Sequence, residues 1–142
     1  MGRKLDVVLI NPGDRAQVYQ DLGMDFSAVE PPFWIAVMAA YLRNNGFSVS
    51  IIDSNAENIT PDETARRAKD MDPLLAAVIV YGSQPSASTQ NMTVAGKICR
   101  ALKETVSSKV AIGGLHPSAL PKRTLEEESA DFVIEGEGPY TL

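Results

Sequence analysis

Short apolar segments of β type alternate with segments of helical periodicity along most of the sequence. Such alternation predicts a parallel sheet, because consecutive parallel strands need right-handed crossovers, which helices commonly provide. We therefore expect one α/β domain with a Rossmann-like (flavodoxin-like) three-layer fold and the strand order 2-1-3-4-5. The five predicted strands are Leu5–Ile10, Phe47–Ile52, Ala76–Gly82, Lys109–Gly113 and Asp131–Glu135.

The first predicted helix follows Pro31-Pro32, and its apolar side chains recur at spacings of three and four residues. This apolar face is broad, so we expect Trp34 in the core, with a place in the wall of a ligand cleft as its alternative. The helix ends before Gly46, since glycine suits the left-handed position after a helix. The apolar face consists of Trp34, Ile35, Val37, Met38, Tyr41 and Leu42.

Three further helices are predicted. Thr60 is a typical N-cap, followed by proline and then by Glu63, and this second helix ends before Pro73. The third helix carries Cys99 beside its apolar face, which indicates a buried thiol. The fourth is the short segment Pro121–Glu127, and we expect no helix after the fifth strand.

The composition fits one soluble, cytoplasmic domain. The 142 residues carry a formal net charge of −5, which argues against a nucleic-acid partner or an anionic membrane surface. The single cysteine cannot form an internal disulfide, as expected in a reducing compartment. No apolar run reaches the roughly 18 residues that a membrane-spanning helix requires.

Four loops are expected to meet at the carboxyl edge of the sheet, where open α/β sheets bind ligands. They supply backbone amides, small hydroxyls and glycines, but no acid–base pair. This chemistry favours holding a polar or phosphorylated cofactor over breaking bonds, so we predict no catalytic residue. The loops are Asn11–Gly13, which opens a polar stretch that runs to Glu30, then Ser83–Ser88, Gly113–Ser118 and Gly136–Gly138.

Familiar nucleotide and metal motifs do not occur in the sequence. A nicotinamide site would need G-x-G-x-x-G after the first strand, and residues 11–16 contain one glycine. Asp53 follows the second strand and is interpreted as a turn former rather than a ribose ligand. His116 has no second histidine or nearby cysteine to complete a metal site, so we assign it a structural or hydrogen-bonding role.

Six segments occur in an order and spacing that resemble those of a known family, although each segment alone is weak. They are Val8–Pro12, Pro31-Pro32, Ala39–Gly46, Ile51–Glu57, Gly113–Pro121 and Asp131–Gly138, which together span nearly the whole chain. The sequence resembles the N-terminal cobalamin (vitamin B12)-binding domain of cobalamin-dependent radical S-adenosylmethionine (radical SAM) enzymes.

The resemblance implies that cobalamin lies at the carboxyl edge, with its nucleotide tail between the loops after strands three and four. Ser83 and Ser86 would supply hydroxyl partners for the tail, and Gly113-Gly114 would admit it. Asn11-Pro12 and Gly136-Glu137 would rim the corrin. The implied cofactor-binding residues are Asn11, Pro12, Ser83, Gln84, Ser86, Gly113, Gly114, His116, Gly136 and Glu137.

Two departures from related patterns bear on this expectation. Methionine-synthase-like domains carry D-x-H-x-x-G after strand one, with histidine as the lower cobalt ligand. Residues 11–16 contain no histidine, so the resemblance implies base-off cobalamin without histidine ligation. Pro139 stands where the family more often has another glutamate at the corrin rim.

The radical chemistry of the family needs C-x-x-x-C-x-x-C for its [4Fe-4S] cluster and S-adenosylmethionine, and this chain has one cysteine. We therefore expect residues 1–142 to be the non-catalytic first domain of a longer methyltransferase or Mg-protoporphyrin monomethyl ester cyclase-like enzyme. Its partners would be cobalamin and a C-terminal radical SAM domain. The alternatives are a cofactor-free interaction or substrate-delivery module and, with less support, a flavin mononucleotide (FMN) domain of flavodoxin type.

Overall fold

A five-stranded parallel sheet in the order β2-β1-β3-β4-β5 forms the centre of the computed structural model. The structure describes residues 5–13, 29, 31–82, 85–136 and 138–142. The predicted fold class and strand order are confirmed. The strands are β1 Leu5–Asn11, β2 Val49–Asp53, β3 Pro73–Val80, β4 Lys109–Gly114 and β5 Phe132–Ile134.

β5 begins one residue later than predicted, and two strands begin further from their predicted starts. β2 starts two residues late, because the Asp6 carboxylate accepts hydrogen bonds from both the backbone and the hydroxyl of Ser48. That bonding holds Ser48 in the connection before the strand. β3 starts three residues early, at Pro73, which is possible because a proline without an N–H can occupy the first position of a strand.

Helices connect the strands, and three short ones were not predicted. They are Ser54–Glu57, Leu115–Ala119 and Gly138–Thr141, labelled α2, α5 and α7 in chain order. The helix α7 contradicts the expectation that no helix follows β5. The predicted Thr60 cap is confirmed, since its hydroxyl accepts from the Glu63 N–H at 3.2 Å. The helices are α1 Phe33–Asn44, α2 Ser54–Glu57, α3 Pro61–Met71, α4 Pro85–Thr105, α5 Leu115–Ala119, α6 Pro121–Glu127 and α7 Gly138–Thr141.

Each face of the sheet has its own apolar core. On one face, Val8, Val78 and Ile112 pack with buried residues of α3 and α4. On the other face, Leu9 and Ile79 pack with buried residues of α1. The chain is therefore a three-layer sandwich, and among the helices of the described ranges none is long and apolar enough to span a membrane.

Trp34 is not a core residue, contrary to the prediction. Its side chain is 54% exposed and that of Val37 is 40% exposed. The buried side chains of α1 are Ile35, Met38, Ala39 and Leu42, which form the stripe that faces the sheet. A helix on a sheet buries only such a stripe, and the sequence of α1 is apolar outside the stripe as well.

Asp131 anchors the start of β4 to the connection before β5. Its carboxylate accepts from the Val110 N–H at 2.9 Å and from Lys103 Nζ at 2.9 Å, with Lys109 Nζ at 3.3 Å. The Val110 hydrogen bond, followed by those from the two lysines, lowers the pKa of Asp131 from 3.8 to about 2. The ionised carboxylate therefore stabilises the folded chain above the unfolded pKa, and this contribution is lost as the pH falls through about 2.

We expect Asp131→Asn to lower the free energy of unfolding at neutral pH by about 1 kcal/mol, since the site is partly screened by solvent. Between about pH 4 and pH 2 the variant should lose less stability than the wild type, because it lacks the titrating group. Urea unfolding at several pH values measures both effects. Asp70→Asn is the control, because Asp70 forms an exposed ion pair with Arg66 and should change little. Equal acid sensitivity of wild type and Asp131→Asn would contradict the assignment.

Candidate cofactor site

The candidate site lies at the carboxyl edge of the sheet. In this sheet, β1 lies between β2 and β3. From β1 the chain adds β2 on one side, and it then adds β3 and β4 on the other side. The direction of the strand order therefore reverses between β1 and β3, and the crevice beyond their carboxyl ends is the topological switch point. The loop after β4 lies next to it, because Val80 and Gly114 are paired in register. The four predicted loops follow β1, β3, β4 and β5, which are consecutive neighbours in the sheet.

The loop after β1 is held by the end of β2. Asn11 Nδ2 donates to Asp53 Oδ1 at 2.8 Å, and the same oxygen accepts from the Ala56 N–H at 3.0 Å. The second bond caps α2, which confirms that Asp53 is a turn former. Pro12 and Gly13 are buried beneath this connection, so this end of the edge is fixed by the chain itself.

Ser88 joins the ends of β3 and β4 and was not among the predicted site residues. Its hydroxyl is fully buried, donates to the Val80 carbonyl oxygen at 2.6 Å and accepts from the His116 N–H at 3.1 Å. One side chain near the start of α4 therefore satisfies backbone groups of β3 and α5. The sequence signal for Ser88 was its place in the small polar loop Ser83–Ser88. Its hydrogen-bond partners could not be predicted, because they are 8 and 28 residues away in the sequence.

His116 lies in the first turn of α5, half-buried. Its Nδ1 is 3.0 Å from the Thr89 hydroxyl, in agreement with the hydrogen-bonding role predicted for it. Among the residues that the structure describes, no group of three or more His, Cys, Asp or Glu side chains could hold a metal ion.

The glycine pair at the end of β4 packs against the neighbouring strands. Gly114 has φ +130°, and a Cβ placed there would lie 2.6 Å from the Val80 carbonyl carbon. A Cβ on Gly113 would lie 2.9 Å from Ile134 Cβ. The two positions need glycine because of the chain's own packing, whereas passage of a cofactor tail along their backbone stays a prediction.

The remaining predicted residues are distributed around this edge. Ser86 is exposed in the first turn of α4. Gly136 donates its N–H to Ser118 Oγ at 3.1 Å, which holds the loop after β5 against α5. Two predicted segments lie outside the described residues, namely 83–84 and 137.

Three aromatic rings flank the same edge. Trp34 near the start of α1 has its ring centroid 6.2 Å from that of Tyr81, the residue after β3, with an angle of 34° between the ring planes. Phe33 packs edge-on to Trp34 at 5.3 Å. The alternative position considered for Trp34, beside a ligand cleft, therefore agrees with the structure better than a core position.

Cys99 contributes no chemistry to the site. Its side chain is fully buried in the core beneath α4. Burial, with a smaller effect of the nearby Glu128 carboxylate, raises the pKa of the Cys99 thiol to about 12. A thiol of this pKa is protonated at neutral pH and is not a nucleophile, which confirms the predicted buried thiol.

The fold is that of a doubly wound α/β domain, a class whose ligands commonly bind at the switch point. Within that class, the chain belongs to the B12 binding domain family, whose sequence model matches residues 19–142.

Longer proteins are similar to this chain over nearly its full length. An anaerobic magnesium-protoporphyrin IX monomethyl ester cyclase of Cereibacter sphaeroides is 23% identical over 139 residues, which cover 96% of this chain and 21% of that protein. An uncharacterized methyltransferase of Pyrococcus horikoshii is 30% identical over 139 residues, which cover 97% of this chain and 28% of that protein. The chain thus spans between about a fifth and somewhat more than a quarter of the length of these relatives.

The fold is also found in a solved structure of the radical S-adenosylmethionine methyltransferase TsrM from Kitasatospora setae with cobalamin and a [4Fe-4S] cluster bound. The TM-score is 0.71 at 17% sequence identity, and the match covers 98% of this chain and 25% of that one. At this identity the likeness concerns the fold.

Proposed function

We propose that this chain is the cobalamin-binding domain of a longer radical SAM enzyme and holds base-off cobalamin at the carboxyl edge of its sheet. The observation that carries the proposal is the edge between β3 and β4. Buried Ser88 bonds Val80 at the end of β3 and His116 in the helix after β4, while Ser86 is exposed two residues before it. Membership in the B12 binding domain family supports the same ligand.

The chemistry of the edge fits cobalamin without a protein ligand to cobalt. Its described side chains are mainly amides, hydroxyls and aromatic rings, which suit the amide groups and nucleotide tail of the cofactor. The imidazole Nδ1 of His116 is paired with Thr89, and the β1 loop carries no histidine at Asn11–Gly13. When bound, cobalamin supplies methyl transfer or radical chemistry, and the residues of this chain bind and orient it.

The parent enzyme belongs to the same proposal. A C-terminal radical SAM domain with a [4Fe-4S] cluster and S-adenosylmethionine would perform the chemistry, as a methyltransferase or a cyclase. The support is that the matched relatives carry these two activities in their names and are several times longer than this chain. Sequencing the gene beyond the codon for Leu142 tests this part, since a C-x-x-x-C-x-x-C motif is expected there.

We expect the purified chain to retain hydroxocobalamin after desalting. Ser86→Trp should bind it at least about tenfold more weakly, because the indole would fill the space between the loops after β3 and β4, where the nucleotide tail is proposed to lie. Equilibrium dialysis followed by visible absorbance measures both affinities. Ser107→Trp, an exposed position in the loop before β4 at the opposite edge, is the matched control.

Equal affinities of the two tryptophan variants would contradict the placement of the tail. Failure of both the wild-type chain and the longer enzyme to retain cobalamin would contradict the function itself. The cofactor-free interaction module would then be favoured, because α1 exposes Phe33 and Val37 on its outer face.

A further inference from the structure

The aromatic rings at the start of α1 are unusually exposed for their size. Trp34 is the only tryptophan of the chain, and it is 54% exposed, while Phe33 beside it is 64% exposed. Tryptophan is on average among the well-buried side chains. A contiguous patch of exposed apolar side chains on a folded domain commonly marks an interaction site or a ligand-binding groove.

The outer surfaces of α3 and α6 carry ion pairs, although Leu125 of α6 and Tyr140 of α7 are also exposed. On α3, Arg66 bridges Glu63 at 2.7 Å and Asp70 at 2.9 Å. On α6, Arg123 pairs with Glu127 at 2.7 Å. These helices present ion pairs to water, whereas the first turn of α1 presents Phe33 and Trp34.

The position of the cluster indicates which ligand it suits. Tyr81 directly follows β3, and α1 is the helix that follows β1, so Trp34 and Tyr81 flank the switch point between these strands. Their ring planes differ by 34°, so the pair presents a shallow, mostly apolar surface. Such a surface suits the apolar face of a broad macrocycle better than a phosphate group, which would need donors or positive charge.

We propose that Trp34, supported by Tyr81, forms an apolar wall that contacts the corrin ring of bound cobalamin. This inference rests on the proposed function and adds a contact residue that lies outside the four glycine- and serine-containing loops. It also accounts for the half-exposed indole, because corrin binding would remove apolar ring surface from water.

The test combines affinity with footprinting on the purified chain, with hydroxocobalamin as the probe. Trp34→Leu should bind at least about tenfold more weakly, and Trp34→Phe should retain most of the affinity because it keeps an aromatic face. Phe47→Leu is the matched control, since Phe47 is 47% exposed in the connection before β2, at the opposite edge of the sheet. Far-UV circular dichroism establishes that each variant is folded.

Hydroxyl-radical footprinting by mass spectrometry supplies a readout that a purely structural role would not change. Bound hydroxocobalamin should protect Trp34 from oxidation in the wild-type chain and leave Phe47 as reactive as before. Unchanged affinity in Trp34→Leu, or weaker binding without protection of Trp34, would overturn the contact while the function stands. Failure of both the wild-type chain and the longer enzyme to bind hydroxocobalamin would overturn the proposed function, and the inference with it.

Discussion

Replacing Gly114 with alanine is expected to lower the free energy of unfolding by about 4 kcal/mol, from backbone strain and steric overlap together. The backbone at Gly114 has φ +130°, and the added Cβ would lie 2.6 Å from the Val80 carbonyl carbon. Relief would require β3 and β4 to separate at the centre of the sheet. Urea unfolding followed by far-UV circular dichroism measures the loss.

Gly46→Ala separates the two causes of this loss. Gly46 also has a positive φ of +91°, but a Cβ there would meet nothing within 4 Å. Backbone strain alone should cost about 1 kcal/mol at this position. Equal losses in the two variants would show that contact with Val80 contributes nothing.

Ser88→Ala is expected to destabilise the chain by about 2 kcal/mol, because it removes a hydrogen-bond partner from one buried and one part-buried backbone group. These groups are the Val80 carbonyl, now bonded at 2.6 Å, and the His116 N–H, bonded at 3.1 Å. The loss should be accompanied by faster amide exchange at His116, measured by hydrogen–deuterium exchange.

The control for Ser88→Ala is Gln90→Ala, an exposed position on the same helix. It should change the free energy of unfolding by less than about 0.5 kcal/mol, as surface substitutions commonly do. If Ser88→Ala were equally mild, water would have to replace the hydroxyl in both hydrogen bonds.

The sequence was sufficient for the architecture because the relevant signals are local. Alternating periodicity identified all five strands, and the right-handed crossover rule restricted their order. The Thr60 cap was equally readable, since its partner Glu63 is three residues away. The short helices were harder to predict from the sequence. The helix α2 depends on a cap from Asp53, and α5 begins where the Ser88 hydroxyl accepts a hydrogen bond from the His116 N–H.

The candidate site was less predictable, because its contacts join residues far apart in the sequence. Residue type and loop position selected Ser86, but the bridging role of Ser88 depends on partners in β3 and α5. The same limit explains why the predicted burial of Trp34 was wrong. Its spacing in α1 predicts burial, but the sheet covers only the stripe that contains Ile35 and Met38, and Trp34 lies outside it.

The close packing of Gly113 and Gly114 affects how related genomes can be surveyed for this cofactor. A Cβ at either position would collide with Ile134 or Val80, so natural selection for folding alone would retain both glycines. A homologue that had lost its cofactor could therefore keep the glycine pair unchanged. Side chains that folding does not require and that the proposal assigns to the cofactor, such as exposed Ser86, are therefore the expected markers for separating cofactor-using members of the family from those that use the fold for another purpose.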